Sequence, residues 1–138
     1  MQEKQLVLVT YEQAKKLKEL GFDWFAGWCY TDCGKLVLNS HFQVEVVYKD
    51  TILFPAPTVA LALKWFRDVK GINNNIGMND FCDSMIYYGC YVIQKGNIGV
   101  YKNTGLKSDL ESSYEEAESA LLDELIEHCK KELKNEKD

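Results

Sequence analysis

The chain predicts an α+β fold: a mainly antiparallel sheet of about five or six short strands, with three helices packed mostly on one face. Three observations carry this expectation. Apolar residues recur at helical spacing in three separate segments. Between them lie short β-branched and aromatic stretches bounded by turn residues. The resulting order, β-α-β-β-β-α-β-β-α, lacks the strict strand–helix alternation of a parallel sheet. At 138 residues, 46% of them hydrophobic, the length fits one domain over 1–134, with 135–138 as a frayed tail.

The first strand is expected over 5–9. Thr10-Tyr11-Glu12-Gln13 then has the form of a capping box, in which Thr10 serves the free amides and Gln13 reaches back. Ala14, Leu17 and Leu20 follow Tyr11 at spacing three, and Gly21 supplies the C′ residue that ends the helix. An aromatic run, Phe22, Trp24, Phe25, Trp28 and Tyr30, leads into Thr31-Asp32-Cys33-Gly34, a turn composition. Segments 35–38 and 43–48 read as strands, the second because Val44, Val46 and Tyr48 alternate with Glu45 and Val47. Residues 23–54 are thus expected to form a meander of three or four strands.

Pro55-Ala56-Pro57-Thr58 stops the sheet and opens the second helix, with Thr58 as N-cap. Its stripes, Val59, Ala62, Phe66 and Val69 beside Leu61 and Trp65, are wide enough for burial on more than one side. Gly71 ends it, and Asn73-Asn74-Asn75 with Gly77 reads as loop. A strand is expected over 85–93, a two-residue turn at Gly96-Asn97, and a returning strand over 98–101. Ser113-Tyr114-Glu115-Glu116 forms another capping box, opening a helix to about Leu133. Acids gather in its first half and lysines at its end, as the helix dipole favours.

Composition narrows the function classes. A net charge of −5 and a single arginine, Arg67, disfavour nucleic acid as a partner, because phosphate recognition draws on clustered Lys and Arg. No stretch approaches the roughly 18 apolar residues of a membrane span. The first ten residues carry no apolar leader, and five cysteines make an odd count. Together these point to reduced thiols in a cytoplasm.

Each candidate chemistry falls short of a full set of groups. Cys29 and Cys33 lie four apart, but a structural zinc site needs four ligands, and His41 is the only further candidate nearby. His41 and His128 are the only histidines. Neither has a nucleophile and an orienting group placed beside it by the sequence. Gly96-Asn97-Ile98-Gly99 runs into a strand, whereas a phosphate cradle runs into a helix. No catalytic residue, cofactor or metal is therefore assigned, and His128 reads as a solvated surface residue beside a buried Cys129.

The hairpin over 86–101 is more informative. With its turn at Gly96-Asn97, Ile93 faces Val100 and Val92 faces Tyr101. One face carries Ile86, Tyr88, Cys90, Val92 and Tyr101; the other carries Tyr87, Tyr91, Ile93, Ile98 and Val100. Helices can cover one apolar face, and the other must meet more protein, a partner subunit or a ligand. The expected contact surface is Tyr87, Tyr91, Ile93, Ile98 and Val100, joined by Trp28 and His41. The expected activity is non-enzymatic: an accessory protein acting on a protein partner, including a second copy of itself. The alternative is a small-ligand or hydrolase pocket near Trp28 and His41.

Three segments carry a family resemblance: Thr10-Tyr11-Glu12-Gln13-Ala14 with Glu19-Leu20-Gly21-Phe22-Asp23; Ala56-Pro57-Thr58 with Ala62-Leu63-Lys64-Trp65-Phe66-Arg67; and Tyr114-Glu115-Glu116-Ala117 with Leu125-Ile126. In these, about a third of its length, the chain resembles a family of small proteins from gut Bacteroidetes-type bacteria and their phages and mobile elements. That family carries no assigned activity, so the resemblance implies a bacterial cytoplasm and a mobile-element origin but no site residues.

Overall fold

A computed structural model describes residues 7–40, 42–81, 84–95, 98–103 and 114–136. The fold is α+β, with two three-stranded antiparallel sheets in place of one. Where the length suggests a single domain, the chain divides into two compact units, 1–61 and 62–138.

In the first unit, helix α1 (Tyr11–Glu19) starts at the capping box the sequence predicts: the Gln13 amide donates to Thr10 Oγ1, and the Thr10 amide donates to Gln13 Oε1. Gly21 follows it at φ +95°, a left-handed conformation that costs glycine little. Strands β1 (Trp28–Thr31), β2 (Leu36–Leu38) and β3 (Leu53–Pro55) form a sheet in the order β2-β1-β3. The β1–β2 turn closes on Gly34, at φ +87°. Tyr11 holds it from α1: its hydroxyl donates to the Asp32 carbonyl at 2.7 Å, and a Cβ at Gly34 would sit 3.6 Å from its ring. Val9, Ala14, Leu17, Leu20, Phe22, Ala26, Cys29 and Val37 are buried. The strand expected over 5–9 is reduced to a bridge between Leu8 and Thr58; residues 5 and 6 lie outside the described ones.

Segment 43–48 is not a strand. Gln43–Val47 forms a short π-helix, closed by the Tyr48 amide on the Gln43 carbonyl at 2.8 Å and capped by Ser40, whose hydroxyl accepts from the Gln43 amide. None of its five residues is buried. Alternation of valine with a charged residue therefore reflects no half-buried sheet face here.

Helix α2 (Val59–Asp68) opens on Thr58, whose hydroxyl accepts from the Leu61 amide. The division between units falls within its first turn. In the second unit, β4 (Asn74–Phe81), β5 (Ser84–Lys95) and β6 (Ile98–Asn103) form the other sheet in sequence order. The β5–β6 register is the one expected, with Ile93 opposite Val100 and Val92 opposite Tyr101; Gly96 and Asn97 lie outside the described residues. Helix α3 (Tyr114–Glu136) packs on this sheet through Ala117, Leu121, Leu122, Leu125, Ile126 and Cys129. It outruns the expected end, so the tail taken to begin at 135 is helical to Glu136. The cap expected at Ser113 lies outside the described residues.

Residues 74–77, expected as loop, begin β4, and two side-chain roles explain this. Asn74 is only 7% exposed, and its amide is well satisfied: Nδ2 donates to the Leu63 and Ile72 carbonyls, both at 3.1 Å, and Oδ1 accepts from Arg67 at 3.0 Å. Gly77 stands opposite Tyr88, whose ring fills the space of the missing side chain; a Cβ there would sit 2.5 Å from the ring.

Two expectations follow. Asn74→Ala strands two buried carbonyls and should cost about 1–3 kcal/mol in urea unfolding. Asn74→Asp should do no better despite Arg67, because a carboxylate cannot donate to carbonyls. Gly77→Val should destabilise by about 1–3 kcal/mol through overpacking. In a Tyr88→Ala background the same change should cost far less, which a double-mutant cycle measures.

Candidate functional site

The two sheets treat their faces differently. In β1 and β2 burial alternates along the chain, as a half-buried antiparallel sheet requires. Cys29, Thr31 and Val37 point inward. The outward positions should then be polar, and they are not. Trp28 and Leu38 are Cα partners across the β1–β2 ladder, 41% and 50% exposed. The next outward pair is Tyr30 with Leu36, the leucine 40% exposed. Phe25, just before β1, is 78% exposed. Aromatic and branched apolar side chains thus form a strip on the outer face of a two-stranded edge.

Tyr30 anchors the inner end of this strip. Its hydroxyl donates to the Val9 carbonyl at 2.8 Å, its ring meets Tyr11 edge-on at 5.7 Å between centroids, and burial holds its pKa above the usual range. Beyond it the strip opens to solvent. β2 lies at the edge of its sheet, and Asn39 extends the ladder past β2 by donating from its amide to Gly27 and from its side chain to Ala26.

The hairpin in the second unit reverses the expectation for its faces. Tyr91, expected on the contact surface, is 6% exposed. Its hydroxyl donates to Glu124 Oε2 at 3.5 Å, and its ring lies 6.4 Å from that of His128, both on α3. Tyr87 meets the Tyr114 ring of α3 edge-on at 5.8 Å. The face that carries Tyr87, Tyr91 and Ile93 is the one α3 covers, because the helix places its apolar stripe against these rings. The side chains of Ile98 and Val100, and all of His41, lie outside the described residues.

The cysteines split by exposure. Cys29 is buried, which raises its pKa, and Cys33 is exposed, its sulfur 3.1 Å from Thr31 Oγ1. Among the described residues no group of three His, Cys, Asp and Glu side chains converges as a metal ion needs. No helix among them is long and apolar enough to cross a membrane. His128 is not a solvated residue: α3 turns it toward Tyr91, with Nε2 4.0 Å from Glu132.

No family model, curated protein or solved structure matches the chain. Of the expected contact residues, only Trp28 falls in the exposed strip. Leu36 and Leu38 escape notice, although the signal is present: Trp28-Cys29-Tyr30-Thr31 and Leu36-Val37-Leu38 carry almost no polar alternate. Phe25 belongs to the aromatic run that the sequence marks.

Tyr91 gives a pH expectation. Burial, then the Glu124 charge and hydrogen bond, lift its pKa above 10.0. The unfolded chain therefore loses this proton first. The Tyr91 contribution to stability is unaffected below about pH 10 and falls as pH rises from there through the raised value. Tyr91→Phe should reduce this alkaline loss, leaving the shares due to Tyr30, Tyr114 and the buried thiols of Cys29 and Cys129, whose pKa values burial also raises. At pH 7 it should cost no more than about 1 kcal/mol, since the hydrogen bond is long. Urea unfolding across an alkaline pH series measures both.

Proposed function

We propose that the chain is a non-enzymatic interaction protein that works through protein–protein contact, with the outer face of β1 and β2 as its contact surface. The observation that carries this reading is the exposed apolar strip of Trp28, Leu36 and Leu38, with Phe25 exposed just before β1. Contiguous apolar surface of this kind marks association sites. Tryptophan and phenylalanine are enriched in such sites because they bury much area with few rotatable bonds. The edge position of β2 adds main-chain groups to which a partner strand can bond.

A pocket at Trp28 and His41 is the weaker reading, because Trp28 stands on an open strand face and His41 lies outside the described residues. The resemblance noted above supports a bacterial cytoplasm as the setting.

The first partner to test is a second copy of the chain. Sedimentation velocity from low to high micromolar concentration should show association. Trp28→Ser with Leu38→Ser should weaken it at least tenfold, as loss of central aromatic and aliphatic anchors does, with an unchanged far-UV CD spectrum. If the chain remains monomeric throughout, and affinity capture from its host recovers the same proteins with wild type and double variant, the surface assignment fails.

A further inference from the structure

The second unit holds a half-open cavity of about 320 Å³, on elements the contact surface does not use. Three segments line it. Lys70, Gly71 and Ile72 follow α2, where Gly71 at φ +69° reverses the chain and the Ile72 amide returns to the Phe66 carbonyl at 3.0 Å. Val92 and Ile93 come from β5, with the Val92 amide bonded to the Asn73 carbonyl at 2.9 Å. The third wall is α3, where the i,i+4 pairs His128 with Glu132 and Cys129 with Leu133 turn toward the opening.

The lining sorts by chemistry. Ile72 and Cys129 are buried, and with Ile93 and Leu133 they give apolar surface. Lys70 and Glu132 are exposed and carry opposite charges. Both act on the Cys129 thiol: burial raises its pKa most, the Lys70 ammonium opposes that rise, and the Glu132 carboxylate adds to it. Both charged side chains line the same opening. At about 30 Å³ per water, the space equals roughly ten waters, the lower end of the range for ligand cavities.

We propose that this cavity binds a small amphipathic zwitterion, a free apolar α-amino acid. Its carboxylate would meet Lys70, its ammonium Glu132, and its side chain Ile72, Ile93 and Leu133. A lone carboxylate would leave Glu132 facing like charge, and a lone amine would do the same to Lys70. A zwitterion satisfies both, and its size matches the space. This site is independent of the β1–β2 surface, so failure of one leaves the other standing.

The test is an amide NMR titration of the full chain with L-leucine and L-phenylalanine at millimolar concentration, beside isovalerate and isoamylamine. At least one amino acid should move the Gly71, Ile72, Cys129 and Glu132 amides saturably. The two single-charge analogues should bind about tenfold more weakly, one charge-assisted contact each. Lys70→Met should weaken the amino acid about tenfold and leave the amine unaffected; Glu132→Gln should weaken it similarly and spare the carboxylate. Both positions are exposed, so neither variant should unfold the chain, and an unchanged spectrum elsewhere checks this. Absence of saturable shifts with both amino acids overturns the proposal. So does an analogue that binds as tightly as the amino acid, or variants that bind like wild type.

Discussion

The pairing of Asn74 with Tyr91 organises the second unit. The two are Cα partners across β4 and β5, so their side chains stand together on one face of the sheet, and both are buried. Each carries polar atoms that burial would penalise unless they were bonded. Asn74 settles this with carbonyls of Leu63 and Ile72 and the Arg67 guanidinium, which fixes the end of α2 and the following turn against the first residue of β4. Tyr91 settles it with Glu124, which fixes α3. One pair of sheet positions thereby specifies where both flanking segments lie. The cavity beside Ile72, Val92 and Cys129 is the space those segments leave.

The first unit depends on a different device, the Tyr11 ring and hydroxyl. These join the start of α1 to the Gly34 turn, and the ring meets both Tyr30 and Phe54, one from each of two neighbouring strands. Rigidity at the Tyr30 end matters for the open end. A sheet held by its inner aromatic residues can present Trp28 and Leu38 on a fixed backbone, and a preorganised surface loses little entropy on contact.

Much of this fold is legible in the sequence because its signals are local. The Thr10–Gln13 box, the Gly21 stop, the Thr58 cap and the long α3 stripe each need only a few neighbouring residues. The β5–β6 register follows from a two-residue turn. What escapes is set by distant partners. Asn73-Asn74-Asn75 has loop composition, yet Asn74 belongs in a strand, where its buried amide bonds Leu63 and Arg67 of α2 and its near neighbour Ile72. Gly77 weakens a strand on its own terms, yet the Tyr88 ring across the ladder requires it. The Val44–Val47 alternation fits a strand and a short helix equally well over so few residues. The two-faced hairpin was likewise ambiguous: its pattern shows that both faces are apolar, and only the tertiary path of α3 decides which is covered.

The same contrast separates structural from functional choices on the β1–β2 sheet. Burial of Cys29, Thr31 and Val37 accounts for the inward positions, since removing apolar surface from water stabilises by about 25 cal/mol per Å². It does not account for the outward ones. Trp28, Leu36 and Leu38 leave substantial area in water, where threonine or a charged residue would keep strand propensity or edge protection while avoiding self-adhesion. An edge strand with apolar outward residues is a liability for a free chain. Among the described residues of the first unit no packing contact requires it, and under the proposed function a partner would cover it. Under the proposed function, a protein partner covers the strip that folding of the first unit leaves in water.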